Sequence, residues 1–183
     1  MNRSVLVVVA FCALATGCSD SSPAAPSEST RTTTTFTVPL AATNEVPAIT
    51  NADAGAAGTG TITLNVTRDA SGNITTATAD FQITVTGFPN GTRVTDAHVH
   101  SAPAGSNGGV VINTTLTSGE LAISNGGGSI TKSGINVPAD RAAAILSNPA
   151  GHYFNVHTAL NPDGAVRGQL SAGTTTTDGS GGY

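Results

Sequence analysis

The residues in this chain best suited to chemistry are its four histidines, His98, His100, His152 and His157. His98 and His100 stand two apart in Ala97-His98-Val99-His100, so on a strand both imidazoles project from one face. Two such imidazoles and a third from a neighbouring strand form a common nitrogen site for copper or zinc, and His157 is the natural third if its strand lies alongside. Within His152–Thr158, parity groups His157 with Asn155 and Tyr153 and turns His152 the other way with Phe154 and Val156. His152 is therefore the weaker, fourth candidate. Neither a thiol nor an evident carboxylate completes the set, and an imidazole-only site favours copper, the strongest binder of the divalent series. The alternative is structural: histidines beside Thr and Asn bridge strands by hydrogen bonds and hold a sheet edge without an ion.

Other reactive arrangements are missing from the sequence. It has no GxSxG elbow, no phosphate-binding glycine loop and no paired-cysteine knuckle, so no catalytic residue is assigned. Seven basic against eleven acidic residues, and no basic stripe, exclude a nucleic-acid partner. A binding or structural module is expected rather than an enzyme, with the loops Ser101–Gly109 and Gly126–Gly128 as contact surface.

The elements that must carry these histidines are strands. Ile62, Leu64 and Val66 alternate with Thr61, Thr63, Asn65 and Thr67, and after the turn residues 69–73 the chain returns with Phe81, Ile83 and Val85 on one face. That pair predicts a hairpin, with a bulge expected between Asn73 and Ala79. Further strands are expected over Thr92–His100, Val110–Leu116, Leu121–Ser124, Gly128–Lys132, His152–Thr158 and Ala165–Leu170. Their spacing indicates a sandwich or barrel. Only Pro138–Leu146 has helical character, about two turns that plug one end of the sheets.

The termini read differently. A lone Arg3, an apolar run Val5–Leu14 and the small residues Ala15, Thr16 and Gly17 form the charged, apolar, small-residue order of a secretory signal peptide over residues 1–17. The run is shorter than the roughly 20 residues a spanning helix needs. Ala15-Thr16-Gly17-Cys18 resembles the lipobox of bacterial lipoproteins, which implies acylation of Cys18 and a lipid-anchored protein of the cell envelope, sorted to the outer membrane in a Gram-negative host. Residues 18–35 are expected to be a flexible tether, 36–172 the folded domain and 173–183 a disordered tail. Of the two cysteines, Cys12 leaves with the signal, so the mature domain has no thiol to form a disulfide. About 135 residues suffice for one core.

Glu45-Val46-Pro47, Ala97-His98-Val99-His100, Tyr153-Phe154-Asn155-Val156-His157-Thr158 and Asn161-Pro162-Asp163-Gly164-Ala165-Val166-Arg167-Gly168 together resemble the CHRD (chordin-type) domain, over Phe36–Leu170. The resemblance implies an all-β, immunoglobulin-like antiparallel β-sandwich with one short helix, an extracellular or periplasmic partner of unknown identity, and no settled activity. A more distant resemblance is to copper-zinc superoxide dismutases, also sandwiches with a His-x-His copper strand and an Arg near the chain end. It implies a redox alternative in which Arg167 steers an anion. The disulfide, zinc-loop ligands and fourth copper ligand of that family have no counterpart here. The plainer expectation for Arg167 is an ion pair with Glu45 that fixes the closing register between the first and last strands.

Overall fold

The computed structural model describes residues 29–178. The expected signal peptide, Cys18, the start of the tether and residues 179–183 lie outside the described residues. Nine strands and one helix follow in order: β1 (Thr30–Ala41), β2 (Ala57–Arg68), β3 (Ile74–Thr86), β4 (Val94–Ser101), β5 (Gly109–Asn113), β6 (Gly128–Asn136), α1 (Ala139–Ser147), β7 (His152–Thr158), β8 (Val166–Gln169) and β9 (Thr174–Asp178). Among the described residues, no helix is long and apolar enough to cross a membrane.

All strand pairs are antiparallel, in the hydrogen-bonded order β5-β4-β7-β8-β1-β2-β3-β6, with β9 also on β1. β8 and β1 meet at a single residue pair, Ala41 and Arg167. That narrow seam lets the sheet fold into two layers, β5-β4-β7-β8 over β9-β1-β2-β3-β6, and the fold is the expected all-β sandwich with one helix. Alternation supplies the core: Phe36, Val38 and Leu40 of β1, Ile62, Leu64 and Val66 of β2 and Phe81, Ile83 and Val85 of β3 face Ala97 and Val99 of β4 and Phe154 and Val156 of β7. Phe81 and Phe154 stack across the layers with centroids 5.7 Å apart. Gly60 of β2 leaves the space that the Phe154 ring fills, since a Cβ there would collide with it.

The hairpin β2–β3 forms as its pattern predicts, and its register shifts beside Thr67 and Arg68, where Thr76 and Ile74 are the partners. Thr75 is the extra residue, inside the stretch expected to bulge. The helix forms at Ala139–Ser147 with Pro138 as its N-cap residue, and it buries Ala142 and Ile145, packing against β3. Leu121–Ser124 forms isolated bridges, not a strand.

The ends of the domain differ from expectation. β1 begins at Thr30, inside the expected tether, and β9 lies inside the expected tail. The two threonine runs pair with each other, Thr32 to Thr35 against Thr177 to Thr174, with the Thr34 and Thr175 hydroxyls 2.9 Å apart. Backbone ladder and β-branched side chains hold this pairing. It buries almost no apolar surface, so apolar periodicity gave no sign of it.

Candidate metal site and its loop cover

The outer face of β4, β7 and β8 is polar, and its register follows from one irregularity. Val94 pairs with Thr158 and Asp96 with His157, leaving Thr95 as an extra residue in β4. The bulge lets Val94 point into the core while Asp96, His98 and His100 point outward. On β7, Tyr153, Asn155 and His157 share that face, and on β8 Arg167 and Gln169 do. The neighbours across the strands are His98 with Asn155, His100 with Tyr153 and Asn155 with Arg167.

His98, His100 and His157 come together as their parity predicted, with one ring nitrogen from each within 4.8 Å of the others. His152 does not join them; it is buried elsewhere, its Nδ1 2.9 Å from the Asn148 carbonyl. Each clustered ring has an oxygen at its far nitrogen. His100 donates from Nδ1 to Gly108 O at 3.0 Å, and His157 donates from Nδ1 to Pro162 O at 2.9 Å. His98 Nε2 lies 3.0 Å from Asp96 Oδ1 and 3.1 Å from Asn113 Nδ2. The near nitrogens, His98 Nδ1, His100 Nε2 and His157 Nε2, converge. His98 Nδ1 and His157 Nε2 are 3.1 Å apart, and His100 Nε2 is buried with no partner at all. Burial pushes all three imidazoles below the ordinary histidine range, against the opposing Asp96 carboxylate at His98 and carbonyl contacts at the other two. His157, donating from Nδ1, offers its Nε2 lone pair to His98 Nδ1, so an ion would have to displace that hydrogen bond while meeting the lone pair of His100 Nε2 directly.

The cluster opens onto a cleft of about 580 Å³ walled by Val46, Pro47, Val110, Pro162 and the two carboxylates Asp96 and Asp163. Three loops make this wall. Within the loop Ser101–Gly109, expected as contact surface, residues 102–108 fold down over the sheet as a strap whose Pro103 to Asn107 stay exposed. Gly108 O takes the His100 proton, Gly108 N–H donates to Tyr153 Oη at 3.3 Å, and Ala102 O accepts from Gln169. Only glycine fits at 108, because a Cβ would run into the Ser101 carbonyl. Residues 159–164 are held by Asp53, 1% exposed, which accepts from Thr158 Oγ1 at 2.8 Å and Asn161 Nδ2 at 2.7 Å.

Arg167 and Glu45 depart from the expected ion pair. Among the described residues neither of them joins a side-chain ion pair; Lys132–Glu120 is one, and the His98–Asp96 contact is made by a neutral ring. The Arg167 guanidinium is instead spent on the strap: Nη1 donates to Asn107 Oδ1 at 3.1 Å and Nη2 to Pro103 O at 3.2 Å and Ser106 O at 2.8 Å. At 2% exposure and held beneath the strap by three hydrogen bonds, it is also not placed to steer an anion toward the histidines. Glu45 lies buried with Oε1 unpartnered, and burial raises its carboxyl to about 7, against the opposing pull of Arg167 and Asn155. The register pairing of Ala41 with Arg167 does close the first strand on the last-but-one, but through backbone.

Asp96, Asn107, Tyr153 and Asp53 were not singled out from sequence. Parity would have found Asp96, two residues before His98 on the same face. Asn107 and Asp53 lie in loops and carry no periodic signal.

Comparison with curated proteins and with solved structures returns no match. The CHRD domain matches residues 36–170, a span that takes in both histidine strands, the strap and the Asp163–Gly164 turn, and on that match the chain belongs to the CHRD family.

Proposed function

We propose that this CHRD protein is an exported, lipid-anchored module of the cell envelope that holds a copper or zinc ion at His98, His100 and His157. The observation that carries the reading is the disposition of the ring nitrogens. Each far nitrogen faces a fixed oxygen while the near ones converge, and one of these, His100 Nε2, is buried without any partner. An orphan buried acceptor costs about 1–3 kcal/mol unless something completes it, and a metal ion does so. The donor set fits: three neutral imidazoles suit Cu or Zn, and oxygen acceptors behind the rings are the usual second layer of such sites. The ring nitrogens lie within 4.8 Å of one another and open onto the cleft, so His98, His100 and His157 would hold the ion at its floor. Bound there, the ion supplies a Lewis-acidic or, for copper, one-electron centre outside the cytoplasm.

Anchoring rests on the Ala15-Thr16-Gly17-Cys18 sequence and the apolar run before it. With β1 starting at Thr30, the chain from Cys18 spans at most about 40 Å fully extended, which keeps the domain close to the bilayer. The dismutase-like alternative has less behind it, because Arg167 lies buried beneath the strap and bonded to it.

Purified protein stripped by chelator and reloaded with Cu(II) or Zn(II) tests the site. One equivalent is expected to bind and to raise the melting temperature, and His100→Ala and His157→Ala are each expected to lose both effects. Unchanged metal content and melting temperature in those variants sinks the reading. Acylation of the wild type but not of Cys18→Ala, read by mass spectrometry of the membrane fraction, tests the anchor.

A further inference from the structure

Among the described residues Arg167 is the one buried guanidinium, and no carboxylate forms an ion pair with it. A cation held in such a place has polar or π partners instead, and here both kinds lead to the same imidazole. One face of the guanidinium lies 3.4 Å from the centroid of the Tyr153 ring. Tyr153 in turn stacks on His100, with centroids 4.8 Å apart and planes 6° from parallel. The strand order β4-β7-β8 sets Tyr153 between its two neighbours. The donors of Arg167 reach the strap at Pro103 O, Ser106 O and Asn107 Oδ1. That strap ends at Gly108, whose carbonyl accepts the His100 Nδ1 proton and whose N–H reaches Tyr153 Oη.

Resting on the three-histidine reading, we propose that Arg167 is a positioning residue for His100: it presses Tyr153 against the imidazole to fix the ring plane, and it holds the strap that fixes the tautomer. His100 Nε2 is thereby kept unprotonated and aimed at the other two rings before any ion arrives. Lysine cannot substitute, because a tetrahedral ammonium on a flexible stem has no flat face to lie on Tyr153 and no rigid fork to keep the strap acceptors in place. Tyr153→Leu removes the stack, whereas Tyr153→Phe keeps it and loses only the acceptor for Gly108 N–H.

The test uses the whole protein and two readouts. Long-range ¹H–¹⁵N spectra of the metal-free form at pH 8 report the His100 tautomer. Competition with a chromophoric chelator reports Cu(II) affinity, with the Cu(II) paramagnetic resonance spectrum recorded alongside. The wild type is expected to show a single Nδ1–H tautomer at His100. Arg167→Lys and Tyr153→Leu are expected to show a tautomer mixture, a Cu(II) affinity lower by about 10- to 100-fold and an altered resonance spectrum, with Tyr153→Phe falling between. Folded Arg167→Lys and Tyr153→Leu proteins with the wild-type tautomer and affinity overturn the proposal and leave the metal site standing. If wild-type protein binds neither Cu(II) nor Zn(II), the metal reading fails, and the tautomer measurement still decides whether Arg167 orients His100. Should Arg167→Lys not fold, Asn107→Ala removes one acceptor from Arg167 together with the Nδ2 donor to the Val46 carbonyl, and Asn107→Asp, which keeps the acceptor and loses that donor, separates the two. A tautomer mixture in Asn107→Ala but not in Asn107→Asp supports the role of Arg167, and a wild-type tautomer with wild-type affinity in Asn107→Ala overturns it.

Discussion

The two outer faces of the sandwich are built by the same rule and end in opposite environments. On β1, β2 and β3 the outward positions are mostly threonine, with Thr37 beside Thr61, Thr35 beside Thr63 and Thr59 beside Thr84, all exposed or half-buried. On β4, β7 and β8 they are Asp96, His98, His100, Tyr153, Asn155, His157 and Arg167, and most of these are buried. Polar-out alternation is common to both. The difference is the cover: the strap 102–108, the loop 159–164 and the segment around Val46 lie over one face and leave the other to water. Burial leaves on this side clustered imidazoles, a guanidinium bonded to the strap, and carboxyl and amide oxygens without partners, Glu45 Oε1 and Asn155 Oδ1 among them. The chemistry of this domain is therefore made by loops on a sheet, not by the sheet alone.

The sharpest way to remove the distinction is to damage what both faces share. Phe154 is fully buried, stacks on Phe81 and fills the space left by Gly60. Phe154→Ala is expected to cost about 3–5 kcal/mol in denaturant unfolding and to loosen the two layers together. A loss confined to β4 and β7 by hydrogen exchange would show that the layers are energetically separate.

A cut on one side only should follow from the loop cover. Asp53→Ala leaves the Thr158 hydroxyl and the Asn161 amide without their acceptor, a loss of about 3 kcal/mol. Its effect should reach the histidine face through the 159–164 loop, whose Pro162 carbonyl orients His157. Exchange protection is expected to fall in β7 and β4 before β2 and β3, and equal loss in all four strands would contradict the asymmetry.

How much of this was open to a reader of the sequence follows the same divide. The alternation of Ile62, Leu64 and Val66, the same-face pair His98 and His100 and the opposite parity of His152 and His157 are properties of single strands, and all held. The partners of Arg167 are oxygens of a non-periodic loop, which no spacing in the sequence marks, and Glu45, the opposite charge that the motifs offer, does not pair with it. Threonines 32–35 and 174–177 pair across more than a hundred residues of chain without apolar burial. Local composition alone reads them as tether and tail.

Glu45 offers a smaller but directional test of the covered face. Burial lifts its carboxyl to about 7, above the ordinary 4.5 of a free glutamate, so the native state holds more protons than the unfolded chain between those values. Stability is then greatest below the unfolded pKa and declines as pH rises from about 4.5 through about 7. Allowing for solvent screening, the decline attributable to Glu45 is about 2 kcal/mol. Glu45→Gln removes the charged form, so it should flatten that slope and match or exceed the wild type at pH 8. An unchanged slope in urea unfolding across this window would mean that Glu45 is ionised and solvated, and that the cover over it is looser than described.

The smallest effect belongs to the open face, and its smallness is the point. Thr61 sits mid-strand in β2 between Thr37 and Gln82 and makes no side-chain hydrogen bond among the described residues. Valine keeps the β-branched shape and the strand preference while removing the hydroxyl. If that hydroxyl is served by water, Thr61→Val changes unfolding free energy by less than about 0.5 kcal/mol and leaves Cu(II) affinity untouched. A cost well above that, or any change in metal binding, would mean that the threonine rows are an ordered layer coupled through Phe154 and the core to the histidines. The contrast between a covered working face and an uncovered solvated one would then no longer describe the molecule.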